Sequence, residues 1–357
     1  SLSLQQAMFR KKLYAGYVYF CILGIILVGV RKYIETFAFF GNEPLGWALG
    51  YFFGDIQNFR LLITNRRLQR WIRLTPQYDM QNDQSCFEGW VELWRRYYIG
   101  EANTRLILCA YWVVIMILGL WVVIRLTSYL EVDTRRKLFH FMMVAILLPA
   151  TYVDPTFTSF ALSLILALFL LLELLRATYV PPFSKFLTHF LAPFVDGRDL
   201  KGPVVISHIF LLIGCSIPLW LTLGLIPRVE GTIFNAWDIS YREVSMVSGV
   251  ICVGMGDSAA SLIGRRFGHH KWPWQGSKTL EGSAAFAVTV GIGLVIAKAW
   301  LRIGGWLANN DDILLMTLWK SGIAACAASL TEAALIGGND NVIVPIILWL
   351  CVKGLDL

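Results

Sequence analysis

Residues Leu106 to Leu126 read LILCAYWVVIMILGLWVVIRL, a stretch whose one charged side chain is Arg125. An α-helix rises about 1.5 Å per residue, so a stretch of this length spans the roughly 30 Å hydrocarbon core of a bilayer. Inside lipid every backbone N–H and C=O group needs a partner within the protein, and a helix supplies these partners by itself. The stretch therefore predicts a transmembrane helix.

The same apolar pattern recurs along the chain. Apolar and aromatic residues (AVILMFWYC) make up 57% of the 357 residues and charged residues 15%, compared with about 25% charged residues in soluble globular domains. Mean hydropathy is +0.60. Besides Leu106 to Leu126, the candidate spans are Leu13 to Val30, Leu138 to Tyr152, Thr156 to Leu175, Val204 to Ile226, Ser283 to Leu301 and Ile313 to Ile336, with weaker candidates at Thr36 to Phe53, Val244 to Ile263 and Val342 to Val352. We therefore predict an all-α polytopic integral membrane protein with about eight to ten transmembrane helices.

A polar insert at about residues 60–105 separates the early apolar runs from the later ones. The aromatic and basic residues of the insert include Trp71, Trp90, Trp94, Arg67, Arg70 and Arg95. Tryptophan and arginine are typical of helices that lie at the membrane surface. We predict an interfacial amphipathic insert within an N-terminal membrane region, residues 1–130, followed by a second membrane region, residues 131–357.

The formal net charge of +7 comes from basic clusters between apolar runs, such as Arg10 to Lys12 and Arg135 to Lys137. Such clusters are typical of cytosolic loops and lipid headgroup contacts. Aromatic residues do not alternate with them as base stacking would require, so we expect no nucleic-acid partner. The seven cysteines form no C-x-x-C pair, and neither a disulfide framework nor a zinc site is indicated.

The most polar segment of the second half is GMGDSAASLIGRRFGHHKWPWQGSKTLEG, Gly254 to Gly282. A nucleoside triphosphate needs basic side chains, backbone N–H groups exposed beside glycine, and Mg²⁺ held on a carboxylate or hydroxyl oxygen. Asp257, Arg265, Arg266 and the tetrad Gly276 to Thr279 provide these groups. The tetrad lacks the upstream glycine of a Walker A loop. A cytosolic loop that is polar only because of its topology is the alternative interpretation.

Two further stretches place charge beside predicted helix ends. The first is Asp133 to His140, in which His140 lies one turn beyond Arg136 on the same face. The second is Asp196 to Gly202, followed by Ser207 and His208. A positive anchor at the membrane surface and a solvated turn are the respective structural alternatives.

Glu332 lies within a predicted helix that is otherwise rich in alanine, and Asp340 and Asn341 follow it after a glycine pair. A carboxylate inside a membrane is costly and usually functional. A break in the helix at the glycines would bring Glu332 and Asp340 to one point, as broken helices do at transporter sites.

These stretches together resemble the polyprenol kinase family, whose eukaryotic branch is the dolichol kinases. The blocks that carry the resemblance are Arg135 to His140, Asp196 to Asp199 with Gly202-Pro203 and Ser207-His208, Gly256 to Ser261 with Arg265 to Gly268, Lys278 to Ser283, and Glu332 with Asp340 to Val342 and Pro345. The loop from Asp196 to His208 favours the dolichol kinase branch over the phytol kinases and the CTP-dependent diacylglycerol kinases. The resemblance covers about residues 130–357 and implies that residues 131–357 form a polyprenol-kinase-like catalytic membrane domain.

The resemblance implies transfer of the γ-phosphoryl group of CTP to dolichol, assisted by Mg²⁺ or another divalent cation, at the cytosolic face of the endoplasmic reticulum membrane for protein glycosylation. Under it the catalytic candidates are Glu332, Asp340 and His140, and the metal ligand is Asp257. The CTP-binding candidates, in the loop of residues 254–283, are Gly254, Gly256, Ser258, Ser261, Arg265, Arg266, Gly276, Ser277, Lys278, Thr279 and Glu281. The candidates for positioning phosphate or substrate are Arg135, Arg136, Lys137, Asp196, Arg198, Asp199, Ser207, His208 and Asn341.

Three other functions stay open at this point. A related lipid-alcohol kinase or a cytidylyltransferase would use the same CTP segment, although the paired-aspartate motif of the CTP:phosphatidate cytidylyltransferases is missing. A secondary transporter would explain Glu332 and the broken helices, but it predicts an internal repeat, which the sequence lacks. A membrane scaffold would have no use for charges clustered at helix ends.

Overall fold

The computed structural model describes residues 3–76, 89–126, 132–178, 183–191, 207–227, 234, 239, 241–274, 278–306, 314–335 and 340–357. In the N-terminal part, the helices are α1 (Leu4–Ala38, with π-helical turns), α2 (Pro44–Phe53), α3 (Gln57–Asn65) and α4 (Glu101–Leu126). The short helical segments Trp90–Leu93 and Trp94–Ile99 precede α4.

The second part of the chain is also helical. Its helices are α5 (Val132–Val153), α6 (Pro155–Ala177), α7 (Phe183–Leu191), α8 (Ser207–Leu225), α9 (Asp257–Phe267), α10 (Leu280–Gly304), α11 (Leu314–Ala334) and α12 (Asp340–Gly354). The 3₁₀ segment Val244–Val247 and the π-helical segment Val250–Gly256 lead into α9. Within the described ranges, β-pairing is limited to one bridge between Lys271 and Thr279. The predicted all-α polytopic fold is confirmed.

Six helices of the described chain are long and apolar enough to cross a membrane: α1, α4, α6, α8, α10 and α11. Three further segments pack beside them, namely α5, whose apolar part is Lys137–Val153, residues 244–256 and α12. Counting these segments gives a number within the expected eight to ten. The weak candidate Thr36 to Phe53 is wrong as a span, because the chain turns at Phe40 and Gly41 and the ten residues of α2 measure only about 15 Å.

The core of the second part lies where α5, α8, residues 244–256, α10, α11 and α12 meet. Helices α8 and α12 run parallel, because Gly214 lies against Asn341 and, farther along both helices, Trp349 Nε1 donates to Thr222 Oγ1 at 2.8 Å. A Cβ atom at Gly214 would lie 1.9 Å from the Asn341 carbonyl oxygen, so only glycine permits this approach. The contact holds the start of α12 against α8.

A second apolar cluster joins the N-terminal part to α5 and α6. Trp47 and Tyr51 of α2 stack with ring centroids 4.6 Å apart, and this cluster includes Leu108, Ala150 and Phe157. It thus includes residues on both sides of the predicted division at residue 130. That division into domains stays a prediction.

Beside this aromatic cluster lies a sealed cluster of buried charged side chains, which includes Arg95. Arg95 was predicted to be interfacial, and this is wrong: its side chain is 1% exposed and lies 2.8 Å from Glu92 Oε2 and 3.6 Å from Asp154 Oδ2. Arg242 donates to Glu92 and Arg105 to Asp154. Glu92 lies three residues from Arg95 and Asp154 lies 59 residues away, and both carboxylates offset the cost of removing the Arg95 charge from water. Trp71, Trp90 and Trp94 are exposed, as an interfacial location requires.

Candidate functional site

One cavity gathers charged residues from several separate segments of the chain. Its lining residues are Cys252, Val253, Asp257, Phe286, Glu332, Asp340, Asn341, Val344 and Pro345. Asp257 begins α9, Glu332 lies in the last turn of α11, and Asp340 begins α12. The structure therefore brings together three carboxylates that are distant in sequence.

Asp257 is held by two residues of α5. Lys137 Nζ lies 2.5 Å and His140 Nε2 lies 3.3 Å from Asp257 Oδ2. Lys137 and His140 are three positions apart and therefore share a face of α5. Burial would raise the pKa of the Asp257 carboxyl, but Lys137 and His140 outweigh it and hold that pKa well below its usual range. Asp257 is therefore an ionised acceptor.

Asp257 is not the N-cap of α9. The cap position is Gly256, and the backbone of Asp257 is already helical, with φ −61° and ψ −34°. The hydrogen bonds of the Asp257 carboxylate go to Lys137 and His140 across the helix interface. Its side chain is therefore free of a capping role.

Lys278 holds the other two carboxylates of the cavity. Its Nζ lies 2.7 Å from Glu332 Oε1 and 3.7 Å from Asp340 Oδ2, and it also donates to the Glu332 backbone carbonyl. Side-chain exposures of 19% for Lys278, 14% for Glu332 and 32% for Asp340 show that the group is open on one side. A ligand with phosphate oxygens therefore has access to this ammonium group.

The loop that carries Lys278 is fixed at its base by Thr279. The Thr279 side chain caps α10 by accepting from Gly282 N at 3.2 Å. A Cβ atom at Gly264 would lie 3.0 Å from Thr279 Oγ1, so α9 and α10 cross closely at this point. Thr279 thus has a structural role as well as its predicted role in binding CTP, and its position fixes the adjacent Lys278.

Other CTP-binding candidates lie outside the cavity. Arg265 and Arg266 end α9, about 12 Å along the helix axis from Asp257; Arg265 Nε donates to the Ser261 carbonyl and Arg266 lies over the Phe267 ring. Glu281 faces the loop, where its Oε1 lies 2.7 Å from His270 Nδ1. Contacts of these residues with a nucleotide stay predictions.

The glycine and serine candidates before and within α9 are mostly buried. A Cβ atom at Gly254 would lie 2.3 Å from Val144 Cγ2, and one at Gly256 would lie 2.6 Å from Val290 Cγ2. Both glycines are therefore required for helix packing, whatever they contribute to a ligand. Ser258 Oγ is buried, and within the described structure it has no hydrogen-bond partner.

Several predicted site residues fall outside the part of the chain that the structure describes. Gly276, Ser277, Asp196, Arg198 and Asp199 lie outside the described residues, as do the side chains of Arg135, Arg136 and Ser207.

Two positioning candidates lie at this same end of the bundle. His208 lies in the first turn of α8, six residues before Gly214. It is therefore about 9 Å from the Gly214–Asn341 contact along the helix axis. Asn341 itself lines the cavity.

The charges of the cavity suit a nucleotide that brings its own cation. Two ammonium groups, Lys137 and Lys278, face three carboxylates, so the carboxylates outnumber the ammonium groups by one. Within the described ranges, no three His, Cys, Asp or Glu side chains are grouped to hold a metal by themselves. Mg²⁺ usually binds one or two carboxylates together with substrate phosphates and water, and Asp257 fits that pattern.

Sequence reasoning missed the pairing of Lys137 with Asp257 and the tryptophans of the loop. Trp272 and Trp274 stack on each other, with ring centroids 4.8 Å apart, and both bond to the helices that carry the site. Their signal in the sequence was the motif Trp-Pro-Trp within an otherwise polar loop.

Comparison with curated proteins finds similar dolichol kinases in several organisms. The chain is 35% identical over 222 residues to a dolichol kinase of Schizosaccharomyces pombe, an alignment that covers 62% of this chain and 39% of that protein. It is 31% identical over 252 residues to a dolichol kinase of Arabidopsis thaliana, covering 70% and 40%, and 33% identical over 218 residues to that of Homo sapiens, covering 57% and 38%. No family model and no solved structure matches the chain.

The chain spans about two fifths of the length of these curated relatives. The matches come from a fungus, a plant and a mammal, and each covers more than half of this chain. The chain is therefore similar to dolichol kinases over more than half of its own length.

Proposed function

We propose that the chain transfers the γ-phosphoryl group of CTP to the terminal hydroxyl of dolichol, giving dolichyl phosphate and CDP. The observation that supports this proposal is a cavity lined by the carboxylates of Asp257, Glu332 and Asp340. Two lysines from other segments of the chain pair with these carboxylates, Lys137 with Asp257 and Lys278 with Glu332 and Asp340. Phosphoryl transfer requires placement and charge neutralisation more than covalent chemistry from the protein. Clustered ammonium and carboxylate groups serve that requirement.

The reaction forms a bond between the dolichol oxygen and the γ-phosphorus and breaks the bond from that phosphorus to the β,γ-bridging oxygen. The bonding pair of the broken bond leaves with CDP. The hydroxyl proton passes to a carboxylate, for which Glu332 and Asp340 are the candidates because both border the cavity. His140 orients Asp257 by its contact at 3.3 Å.

In this reaction the two lysines exchange partners. The ion pairs Lys137–Asp257 and Lys278–Glu332 keep the ammonium groups next to the cavity before CTP arrives. Phosphate oxygens then replace the carboxylates as partners of the lysines. Asp257 would then be available to hold Mg²⁺, which would neutralise charge on the phosphates. Release of Glu332 from Lys278 also makes that carboxylate a better proton acceptor.

The substrate tail and the membrane location follow from the same proposal. A polyprenol tail remains in lipid, and exposed apolar side chains cover the outward faces of α4, α6 and α10, including Ile117, Leu168 and Ile296. We assign the site to the cytosolic side of the endoplasmic reticulum membrane, where CTP is present. The proposed partners are dolichol, CTP and the lipid bilayer.

Labelled CTP tests the function. The full chain, reconstituted in liposomes with dolichol and Mg²⁺, is incubated with γ-labelled or α-labelled CTP. Label in the lipid from γ-labelled CTP alone supports the kinase; label from α-labelled CTP indicates cytidylyl transfer. Absence of lipid label from both, in vesicles where the protein is folded, contradicts the proposal. Farnesol and phytol in place of dolichol distinguish a kinase for another lipid alcohol.

A further inference from the structure

The loop between α9 and α10 is a small hairpin that carries Lys278 on one arm. Trp272 N donates to the Lys278 carbonyl at 3.1 Å, and Leu280 N donates to the His270 carbonyl at 2.8 Å. The bridge between Lys271 and Thr279 lies between these two bonds. The arm with the tryptophans is thus paired with the arm that carries the lysine of the cavity.

Both indole rings of the hairpin are locked in place. Trp272 Nε1 donates to Ser283 Oγ at 2.9 Å, and Trp274 Nε1 donates to the Ala333 carbonyl at 3.0 Å. The rings stack with an interplanar angle of 27°. Trp272 covers one face of Trp274, yet Trp274 remains 52% exposed. A rigid aromatic face is therefore open to solvent.

This open face lies beside the cavity. Trp274 bonds to the carbonyl of Ala333, and Lys278 bonds to the carbonyl of the preceding residue, Glu332. Consecutive carbonyls of a helix differ by about 1.5 Å of axial rise. The indole of Trp274 and the ammonium group of Lys278 therefore lie side by side on the last turn of α11. One nucleotide is long enough to contact the indole with its base and the ammonium group with its phosphates.

We propose that the exposed face of Trp274 stacks on the pyrimidine ring of the nucleotide donor, with Trp272 supporting it from behind. This inference rests on the proposed kinase function, since it assigns the base of the same CTP whose phosphates meet Lys278. Stacking of a base on an aromatic side chain contributes about 1–3 kcal/mol. A ring already fixed by a hydrogen bond and a neighbour loses little entropy when it binds.

A lipid-anchoring role fits these residues less well. Interfacial tryptophans place their N–H group among the lipid headgroups, whereas both indole N–H groups here bond to the protein. Three exposed neighbours on the same arm, His269, His270 and Lys271, are polar.

Two substitutions of Trp274 test the stacking. Trp274→Leu retains an apolar side chain but no aromatic face, whereas Trp274→Tyr retains a face. In the full chain in liposomes, we expect Trp274→Leu to raise the KM for CTP at least about fivefold, the lower limit for one lost stack, and Trp274→Tyr to raise it less. The KM for dolichol and the inhibition constant of inorganic tripolyphosphate, which has phosphates and no base, should remain unchanged.

Trp319→Leu is the matched control, because Trp319 is also exposed, at 67%, and lies on α11 far from the cavity. An unchanged KM for CTP in Trp274→Leu overturns the inference, as does a change in the KM for dolichol alone, which would indicate a membrane anchor. Equal weakening of CTP and tripolyphosphate also overturns it, since that result indicates a displaced Lys278. The unsubstituted chain is assayed before the variants are compared. If it transfers no γ-phosphoryl group, the proposed function itself fails.

Discussion

The two ends of the helical bundle each hold a cluster of opposite charges, and the clusters differ in exposure. Around Arg95, Arg105 and Arg242 the charged side chains are 1–5% exposed. Around Lys137 and Lys278 they are 7–32% exposed. Helix α5 connects the two clusters: His140 contributes to the open one, and Asp154, about 20 Å farther along the helix direction, contributes to the sealed one.

The difference distinguishes an ion cluster that stabilises the fold from one that binds a ligand. In the sealed cluster, backbone carbonyls complete the pairing: Arg242 donates to those of Tyr152 and Val153, and Arg105 donates to that of Tyr51. In the open cluster, carboxylates outnumber ammonium groups beside a cavity. The first arrangement fixes the N-terminal part on the bundle, and the second leaves capacity for an incoming cation and phosphates.

Breaking the sealed cluster should have the largest effect. Arg242→Met leaves Glu92 buried without one of its guanidinium partners, and removal of one member of a buried pair costs about 3–5 kcal/mol. We expect a clear fall in the thermal unfolding temperature of the chain in detergent. Arg31→Met is the matched control, because the Arg31–Glu43 pair is partly exposed and such surface pairs contribute about 0–1 kcal/mol. Equal melting temperatures for the two variants would show that the sealed cluster does not stabilise the fold.

The sealed cluster also shows where sequence reasoning fails. The apolar runs predicted the fold class, because a span depends on composition over neighbouring residues. The local pattern of tryptophan and arginine predicted an interfacial Arg95, whereas its actual environment depends on Asp154, 59 positions away, and on Glu92, which Arg242 also contacts from 150 positions away. Pairings of that range leave no periodic signal in the sequence.

At the open cluster, sequence reasoning went further. Glu332 and Asp340 stood out because a carboxylate in a membrane is costly, and the structure places both on Lys278. The pairing of Lys137 with Asp257 was missed, since it joins α5 to α9 across 120 positions. The side-by-side arrangement of Trp274 and Lys278 depends on the hairpin and on the end of α11, so it required the three-dimensional structure.

Removing a charge from the open cluster should affect activity and leave stability nearly unchanged. We expect Lys278→Ala to lower kcat/KM for CTP about 100-fold or more, comparable to the loss of one charge-stabilising donor in other active sites. The side chain of Lys278 is 19% exposed, and its partners Glu332 and Asp340 are partly exposed, so water can solvate them in the variant. Kinetics and thermal unfolding are measured on the same preparation. Unchanged kinetics would remove the hairpin from the active site.

The smallest effect should be a change in the shape of the pH profile. Burial raises the pKa of the Asp257 carboxyl, and the charge of Lys137 is the largest influence that lowers it. Lys137→Met removes that influence, so Asp257 should take up a proton at a higher pH than in the unsubstituted chain. A protonated carboxyl does not bind Mg²⁺, and kcat/KM for CTP should therefore fall earlier as the pH decreases. We expect an extra loss of about threefold to tenfold at the acid end, because a single protonation reduces the ionised fraction at most tenfold per pH unit. Lys137→Arg retains the charge and should retain the original profile. Parallel profiles for Lys137→Met and Lys137→Arg would show that ionisation of Asp257 does not limit the reaction, and Lys137 would then act on the phosphates alone.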